Sequence, residues 1–347
     1  MLIGEKSSVD FSEDKMVITQ TPFRMSFFGG GTDIKEYFAA HKGAVISTTF
    51  DKYCYVNVRH LPRFFDWANE LTYSKIEKTS SIEEINHPAI RNAMKMLDMK
   101  EIRLIYEADL PAKSGLGTSS SFAVGMLNAF YALKGEYADP KRLADEAIRL
   151  ERDLCNEAGG WQDQIAAAYG GLNRIDFDED GYRVNPIIMA PGKKKELNSS
   201  LVLFFTGFTR FSSSIQSMGN AGGKKTVAVL GEMYSLVDEA QQILTNKDSD
   251  MDEFGRLLDY SWKLKKGTNK AISTDTIDTL YERGIKAGAL GGKLLGAGGG
   301  GFLLFYVQPE KRDSLVKALD DLLYVPFEFV NNGSRVIHFS HESWKDV

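Results

Sequence analysis

Two periodicities alternate along the chain. Stretches rich in Val, Ile, Thr and Tyr that alternate with polar residues read as strands, and stretches with apolar residues every three to four positions read as helices. After about fifteen polar residues that read as a loose arm, KMVITQTPFRMSFFGGGTD reads as a strand running into a glycine-rich turn. AVISTTFDKYCYVNVRHL reads as one or two further strands, PAIRNAMKMLD as a helix and EIRLIYEADL as an alternating strand. Asp139-Pro140 marks a helix start, with Asp as the cap and Pro at the first helical position. That helix, KRLADEAIRLERDLC, aligns Leu143, Ala147, Leu150 and Leu154 on one face. The parallel row is Ala144, Ile148, Glu151 and Cys155, in which the carboxylate breaks the apolar pattern.

A short helix bracketed by glycine pairs, GGWQDQIAAAYGG, and a strand, GLNRIDF, follow. The stretch NPIIMAPGKKKELN reads as a boundary between two domains, residues 1–190 and 191–347. Beyond it come the strand SLVLFF, helices in VAVLGEMYSLVDEAQQIL, EFGRLLDYSWKLKKG and TIDTLYERGIKAGA, a glycine run, a further helix near EKRDSLVKALDDLL and two late strands. Strands interspersed with helices give an α+β class.

Composition narrows the function. The 347 residues are 43% hydrophobic and 26% charged with a net charge of -5, which gives no general electrostatic reason to bind nucleic acid or an anionic membrane. Lys193, Lys194 and Lys195 form a local basic run that reads as a solvated loop. Two cysteines, Cys54 and Cys155, are too few for a disulfide scaffold, and the five histidines lack zinc-ligand spacing. No signal peptide or membrane span is expected, so the expectation is a cytoplasmic protein.

Candidate chemistry gathers at three glycine clusters, FFGGGTD, SGLGTSSS and LGAGGGGF. In LPAKSGLGTSSSFAVGMLNAF, two glycines and four hydroxyls precede an apolar helix, where backbone N–H groups and the positive helix end suit a phosphate. No window fits the Walker loop. A literal G-x-G-x-x-G at Gly296, Gly298 and Gly301 follows a helical pattern and opens a strand, the reverse of the dinucleotide fingerprint.

Taken in order, TPFRMSFFGGGTD, PAKSGLGTSSS and LLGAGGGGF resemble the three motifs of the GHMP kinases, the superfamily of galactokinase, homoserine kinase and mevalonate kinase. The first is similar to the branch of bacterial sugar and sugar-phosphate 1-kinases. Lys113 stands where the second motif usually has glycine. The resemblance implies a ribosomal-protein-S5-like N-terminal domain, a ferredoxin-like C-terminal domain and a site in the cleft between them. It implies ATP and Mg²⁺ as cofactors and a small-molecule sugar phosphate, a heptose 7-phosphate, as acceptor at its anomeric hydroxyl. Competing readings are a 1-kinase for an unphosphorylated sugar such as L-fucose, a catalytically silent sugar and nucleotide binder, and, more remotely, a dinucleotide oxidoreductase.

The resemblance also implies roles. Lys113, Ser114, Gly115, Leu116, Gly117, Thr118 and Ser119 would cradle the nucleotide phosphates. Ser119 and Glu151 would hold the metal; alternatively Ser119 caps its helix and Glu151 pairs with Arg149 or Arg152. Asp163 matches the catalytic aspartate, or is a helix cap, and Arg24 the basic residue that keeps it ionised. Asp33, with Gly30, Gly31 and Thr32, matches the acceptor of sugar hydroxyls, or forms a turn. Gly298 and Gly299 of the third motif would pack against both substrates. A basic group must meet the acceptor's own phosphate, and Arg59, His60, Arg63 and Arg210 are candidates by charge alone.

Overall fold

The computed structural model describes residues 16–61, 64–207, 224–269, 271–296 and 298–340. The N-terminal arm, Arg63 and Arg210 lie outside the described residues.

The first half builds a sheet from β1 (Met16–Phe28), β2 (Gly43–His60), β3 (Asn69–Thr72), β4 (Ile76–Thr79), β5 (Ile102–Ala108), β6 (Asn173–Asp178) and β7 (Gly181–Pro186). Its helices are α1 (Lys35–Phe38), α2 (Pro88–Met96), α3 (Thr118–Leu133), α4 (Pro140–Ile148) and α5 (Gln162–Tyr169). The second half contains α6 (Pro191–Ser200), β8 (Leu201–Phe205), α7 (Lys224–Thr245), α8 (Asp252–Thr268) and α9 (Asp275–Lys286). It continues with β9 (Ala289–Leu294), β10 (Phe302–Val307), α10 (Arg312–Ala318), β11 (Leu323–Tyr324), β12 (Phe329–Val330) and β13 (Arg335–Phe339).

Strand β2 organises the first sheet, because its 18 residues are long enough to serve three partners on one edge, β5, β6 and β12. Its second half pairs antiparallel with β5 from Cys54 to His60, and its first half with β6 from Gly43 to Ser47. Along its other edge runs β1, whose register slips between Pro22 and Phe23. Before the slip β1 alternates buried and half-buried residues; after it, Phe23 to Phe28 are all buried. The change follows from what covers each half. One core packs the sheet against α3, α4 and α5, while Phe23, Met25, Phe27 and Phe28 share a second core with Leu203, Leu236, Phe254 and Leu304 from the second half. Polar residues inside a stretch buried on both faces, here Arg24 and Ser26, need partners, and both line a cleft between the layers.

The second sheet runs β11-β8-β10-β9, all antiparallel. Helix α8 lies against it through glycine contacts: a Cβ added at Gly291 of β9 would stand 2.0 Å from the Gly255 carbonyl oxygen of α8. No helix among the described residues is long and apolar enough to cross a membrane.

Several expectations are corrected. The third glycine cluster follows a strand, β9, and not a helix; Gly291 and Gly292 had diluted the strand signal, and they are there for close approach of α8 and β10. Three late strands are present, and β12 and β13 return to pair with β2 and β1, so a cut at residue 190 separates the last strands from their own sheet. The run at Lys193 is no solvated loop. Lys193 is buried, and its ammonium donates to the carbonyls of Ile243, Asn246 and Ser249 at the C-terminal end of α7, where a cation is favoured. Asp139 caps α4 as expected, accepting from the Arg142 amide. That helix passes into a π turn, Arg149–Leu154, whose extra residue rotates the apolar face and leaves Leu154 exposed while keeping Glu151 buried.

The close approach of α8 to β9 gives the first expectation. Gly291→Ala should cost about 2 kcal/mol in urea unfolding, the usual range for overpacking a filled core. An unchanged midpoint would mean that the helix shifts at no cost.

Candidate active site

The cleft between the layers has a volume of about 1220 Å³. The four hydroxyls in the first turn of α3 are all engaged in bonds. Thr118 Oγ1 accepts from the Lys113 amide at 3.2 Å, closing the loop. Ser119 and Ser120 donate to the two carboxylate oxygens of Glu151 at 2.7 and 2.6 Å, and Ser121 donates to the Pro22 carbonyl of β1 at 2.9 Å. None of them caps α3. Its N-terminus is set instead by Gly117 in the left-handed region, φ 73°. Gly115, Gly117, Thr118, Ser119 and Ser120 line the cleft, so the amide end of α3 opens onto it. Lys113 also takes a left-handed conformation, φ 59°, which accounts for glycine suiting that place in the motif. Ser114 and Leu116 point away from the cleft into buried positions, and contribute backbone only.

Arg24 joins this loop to α5. Its Nε and Nη2 reach Oδ1 of Asp163 at 2.8 and 2.7 Å, and its Nη1 donates to the Gly115 carbonyl at 2.8 Å. The Arg24 amide also donates to the Leu116 carbonyl at 3.1 Å. Both contacts fall on Oδ1 of Asp163, so Oδ2 takes no hydrogen bond among the described residues, and Asp163 lines the cleft. Asp163 makes no capping bond at the start of α5. That place is taken by Asp33, whose carboxylate accepts from the Gln162 amide at 3.2 Å and the Gly31 amide at 2.8 Å. Burial pushes the Asp33 carboxyl above its ordinary range, against those amides, and the negative charge of Asp163 adds to the shift.

Glu151 is 1% exposed and has no ion pair among the described residues. Beside Ser119 and Ser120 it takes a bond from the Gln164 amide nitrogen. Arg152 does not pair with it; its guanidinium donates to the carbonyls of Glu157 and Gly160 at 3.1 and 3.0 Å. Ser119 and Glu151 therefore stand side by side at the cleft as one hydroxyl and one carboxylate. No group of three His, Cys, Asp or Glu side chains is placed for a metal among the described residues.

The third glycine cluster buttresses the second. A Cβ at Gly296 would lie 2.3 Å from Gly115 Cα, and one at Gly301 the same distance from the Ser114 carbonyl oxygen. Gly298 lines the cleft, whereas Gly299 is held off it by a bond from its amide to the Ile272 carbonyl at 2.9 Å. Thr32 is likewise spent inside its turn, bonded to the Gly29 and Ala44 carbonyls and the Ala44 amide, while Gly30, Gly31 and Asp33 face the cleft.

Of the four basic residues weighed by charge alone, the two that lie among the described residues are away from the cleft. Arg59 and His60 sit at the far end of β2, opposite Arg103 and Ile102, and line no part of the cleft. Two lysines missed from sequence do line it. Lys265 of α8 donates to the Gly296 carbonyl at 2.5 Å, and Lys293 of β9 to the Phe27 carbonyl at 2.7 Å. Burial, with the Arg24 charge adding, brings the Lys265 ammonium down to about 8. Burial pushes Lys293 well below the ordinary lysine range, with Lys265 and Arg24 adding. Each lysine interrupts an apolar pattern, the same signal that singled out Glu151.

The GHMP kinases N terminal domain family matches residues 84–171 and the GHMP kinases C terminal family residues 229–324. A D-glycero-alpha-D-manno-heptose 7-phosphate kinase of Campylobacter jejuni is 30% identical over 88% of this chain and 93% of its own. A bifunctional fucokinase/GDP-fucose pyrophosphorylase of Arabidopsis thaliana is 25% identical over 87% of this chain, which spans only 31% of that larger protein. The crystal structure of a D-glycero-D-manno-heptose 1-phosphate kinase from Bacteroides thetaiotaomicron superposes with a TM-score of 0.75, at 25% identity, over 93% of this chain and 99% of the other.

Arg24→Lys keeps the charge but cannot span Asp163 and Gly115 together. It should lower the free energy of urea unfolding by about 2 kcal/mol, as expected for losing charge-assisted bonds at a buried fork. Unchanged stability would show that the fork does not hold the loop to α5.

Proposed function

Because this chain belongs to the GHMP kinases, a family of ATP-dependent kinases, we propose that it phosphorylates the anomeric hydroxyl of D-glycero-D-manno-heptose 7-phosphate. The product is the 1,7-bisphosphate, an intermediate toward nucleotide-activated heptose. The observation that carries the substrate is the 30% identity to the Campylobacter jejuni heptose 7-phosphate kinase along 88% of the chain.

The chemistry follows from the chain's own groups. Backbone N–H groups from Gly115 to Ser119 and the positive end of α3 bind the nucleotide phosphates. Arg24 fixes the orientation of Asp163 through Oδ1, which leaves Oδ2 to accept the proton of the sugar's C1 hydroxyl. The freed oxygen attacks the terminal phosphorus of ATP in line, the bond to the bridging oxygen breaks, and ADP departs with that electron pair. Asp33 and the Gly30–Gly31 backbone face the sugar's other hydroxyls.

Ser119 and Glu151 would hold Mg²⁺. Their fit rests on chemistry: adjacent hydroxyl and carboxylate oxygens, and a buried carboxylate without a cationic partner, suit a small hard ion that keeps several waters and takes its remaining ligands from phosphates. Bound there, the ion supplies positive charge to offset that of the phosphates.

The likeness to a fucokinase favours one other reading, the same transfer to an unphosphorylated sugar. A panel of sugars with and without a terminal phosphate, incubated with ATP and Mg²⁺, separates the two by ADP release. ADP formed only with the heptose 7-phosphate, and reduced by about 10²- to 10⁴-fold in Asp163→Asn, is the expected result. Turnover of a free sugar would replace the substrate assignment, and nucleotide binding without turnover of any sugar would reduce the protein to a silent binder.

Glu151→Gln tests the metal. Its amide keeps an acceptor for the serines, so folded stability should stay within about 1 kcal/mol, while the Mg²⁺ concentration for half-maximal activity rises roughly tenfold or more. Equal metal dependence in both proteins would assign Glu151 a purely structural role.

A further inference from the structure

The chemistry above uses one of the cations on the cleft floor and leaves Lys265 without work. Lys265 reaches in from α8 of the second layer, and one N–H of its ammonium goes to the Gly296 carbonyl at 2.5 Å. Gly296 packs directly on Gly115, whose own carbonyl takes Arg24 Nη1. The ammonium thus stands beside the phosphate loop on the side of the Arg24–Asp163 pair. It lines the cleft, and among the described residues no carboxylate forms an ion pair with it. An ammonium has three donors and a full charge. One neutral carbonyl satisfies neither, and a cation held in this way is costly unless an anion meets it.

We propose that Lys265 is a catalytic cation of the transfer: its ammonium, aimed by the Gly296 carbonyl, binds the equatorial oxygens of the phosphoryl group as that group leaves ATP for the acceptor hydroxyl. This rests on the kinase reading. Charge spreads over those oxygens in the transition state, and a preorganised cation acts most strongly there. The assignment also gives the second layer a share in the chemistry, since α8 supplies the side chain and the β9–β10 connection supplies its anchor.

The pH dependence has a definite sign. Burial lowers the Lys265 ammonium most, to about 8; the Arg24 charge opposes it further, and Asp33 and Asp163 favour it. Only the ammonium form acts, so kcat/KM, which reports the free enzyme, should hold below pH 8 and fall as pH rises through it.

The test compares the parent protein with Lys265→Gln and Lys265→Arg. Binding of ADP with Mg²⁺, and of ADP with Mg²⁺ and aluminium fluoride as mimic of the phosphoryl group in flight, is measured by calorimetry. The glutamine variant should lose about 100-fold in affinity for the mimic and less than threefold for ADP alone. The arginine variant should retain the mimic within about fivefold and show no alkaline fall of kcat/KM near pH 8. Equal loss of ADP and mimic, or no loss of either, overturns the proposal, as does an alkaline fall that persists in the arginine variant. Should the glutamine variant not fold, the arginine variant decides through the mimic and the pH profile. The calorimetric arm needs no sugar, so a parent protein that turns over no sugar overturns the substrate reading while Lys265 is still judged on the mimic.

Discussion

A single guanidinium joins three separate stretches of this chain. Arg24 leaves β1 inside a core buried from both sides, and its fork is shared between Asp163 at the start of α5 and the carbonyl of Gly115 ahead of α3. At 4% exposure the charge could not sit there alone. The planar spread of an arginine is what allows one residue to fix two elements at once, and an ammonium would have to choose between them. The relative placement of the glycine loop and the carboxylate is therefore fixed in part by one side chain. The same fork occupies one oxygen of Asp163 and leaves the other without a hydrogen bond among the described residues, so orientation and availability come from the same bonds.

The second constraint is backbone against backbone. Gly115 and Gly296 touch at a distance that admits no side chain, and Gly301 presses on the Ser114 carbonyl in the same way. What the sequence presents as separate phosphate-type loops is, in these two, one loop and its support. The support belongs to the second sheet, whose strands β9 and β10 it connects, while the loop belongs to the first layer. Glycine is required here less for flexibility than for the approach of the two layers. A residue with a Cβ at either point would push the layers apart and open the floor of the cleft.

How much of this was legible in the sequence depended on the kind of signal. Glu151 could be singled out because a carboxylate in an apolar row has to have a partner, and the structure supplies Ser119, Ser120 and Gln164. The hydroxyl run was recognised as too long for one cap, though only the fold assigns Thr118 to the loop and Ser121 to β1. Strand β2 was visible from its β-branched and aromatic residues. Strand β9 was not, because its glycines serve α8 rather than its own propensity. Leu154 was placed on the wrong face because a π turn adds a residue that periodicity does not count. Arg59 and His60 were weighed by charge alone, and charge says nothing of distance. Lys265 and Lys293 obeyed the very rule that found Glu151, yet went unremarked because lysines near a helix end and inside a glycine-rich strand look like ordinary solvated residues.

These placements give the cleft a direction. On one side stands an acidic group, Glu151 with Ser119; across the phosphate loop stand Arg24, Lys265 and Lys293. The two lysines are anchored by carbonyls, which orient a cation without neutralising it, whereas Arg24 is matched by Asp163. Asp33, whose carboxyl burial pushes above its ordinary range, lines the same cleft. Basic side chains thus gather where β1, β9 and α8 meet, and the loop of amides carries Arg24 on its Gly115 carbonyl and Glu151 on its Ser119 hydroxyl. A polyphosphate laid along that loop would meet an oxygen-liganded cation at one flank and protein cations at the other, which is the distribution that phosphoryl transfer needs when the protein contributes positioning and charge in place of covalent chemistry. The polarity is produced by elements from both layers, so the chemistry is a property of their packing and not of any one glycine motif.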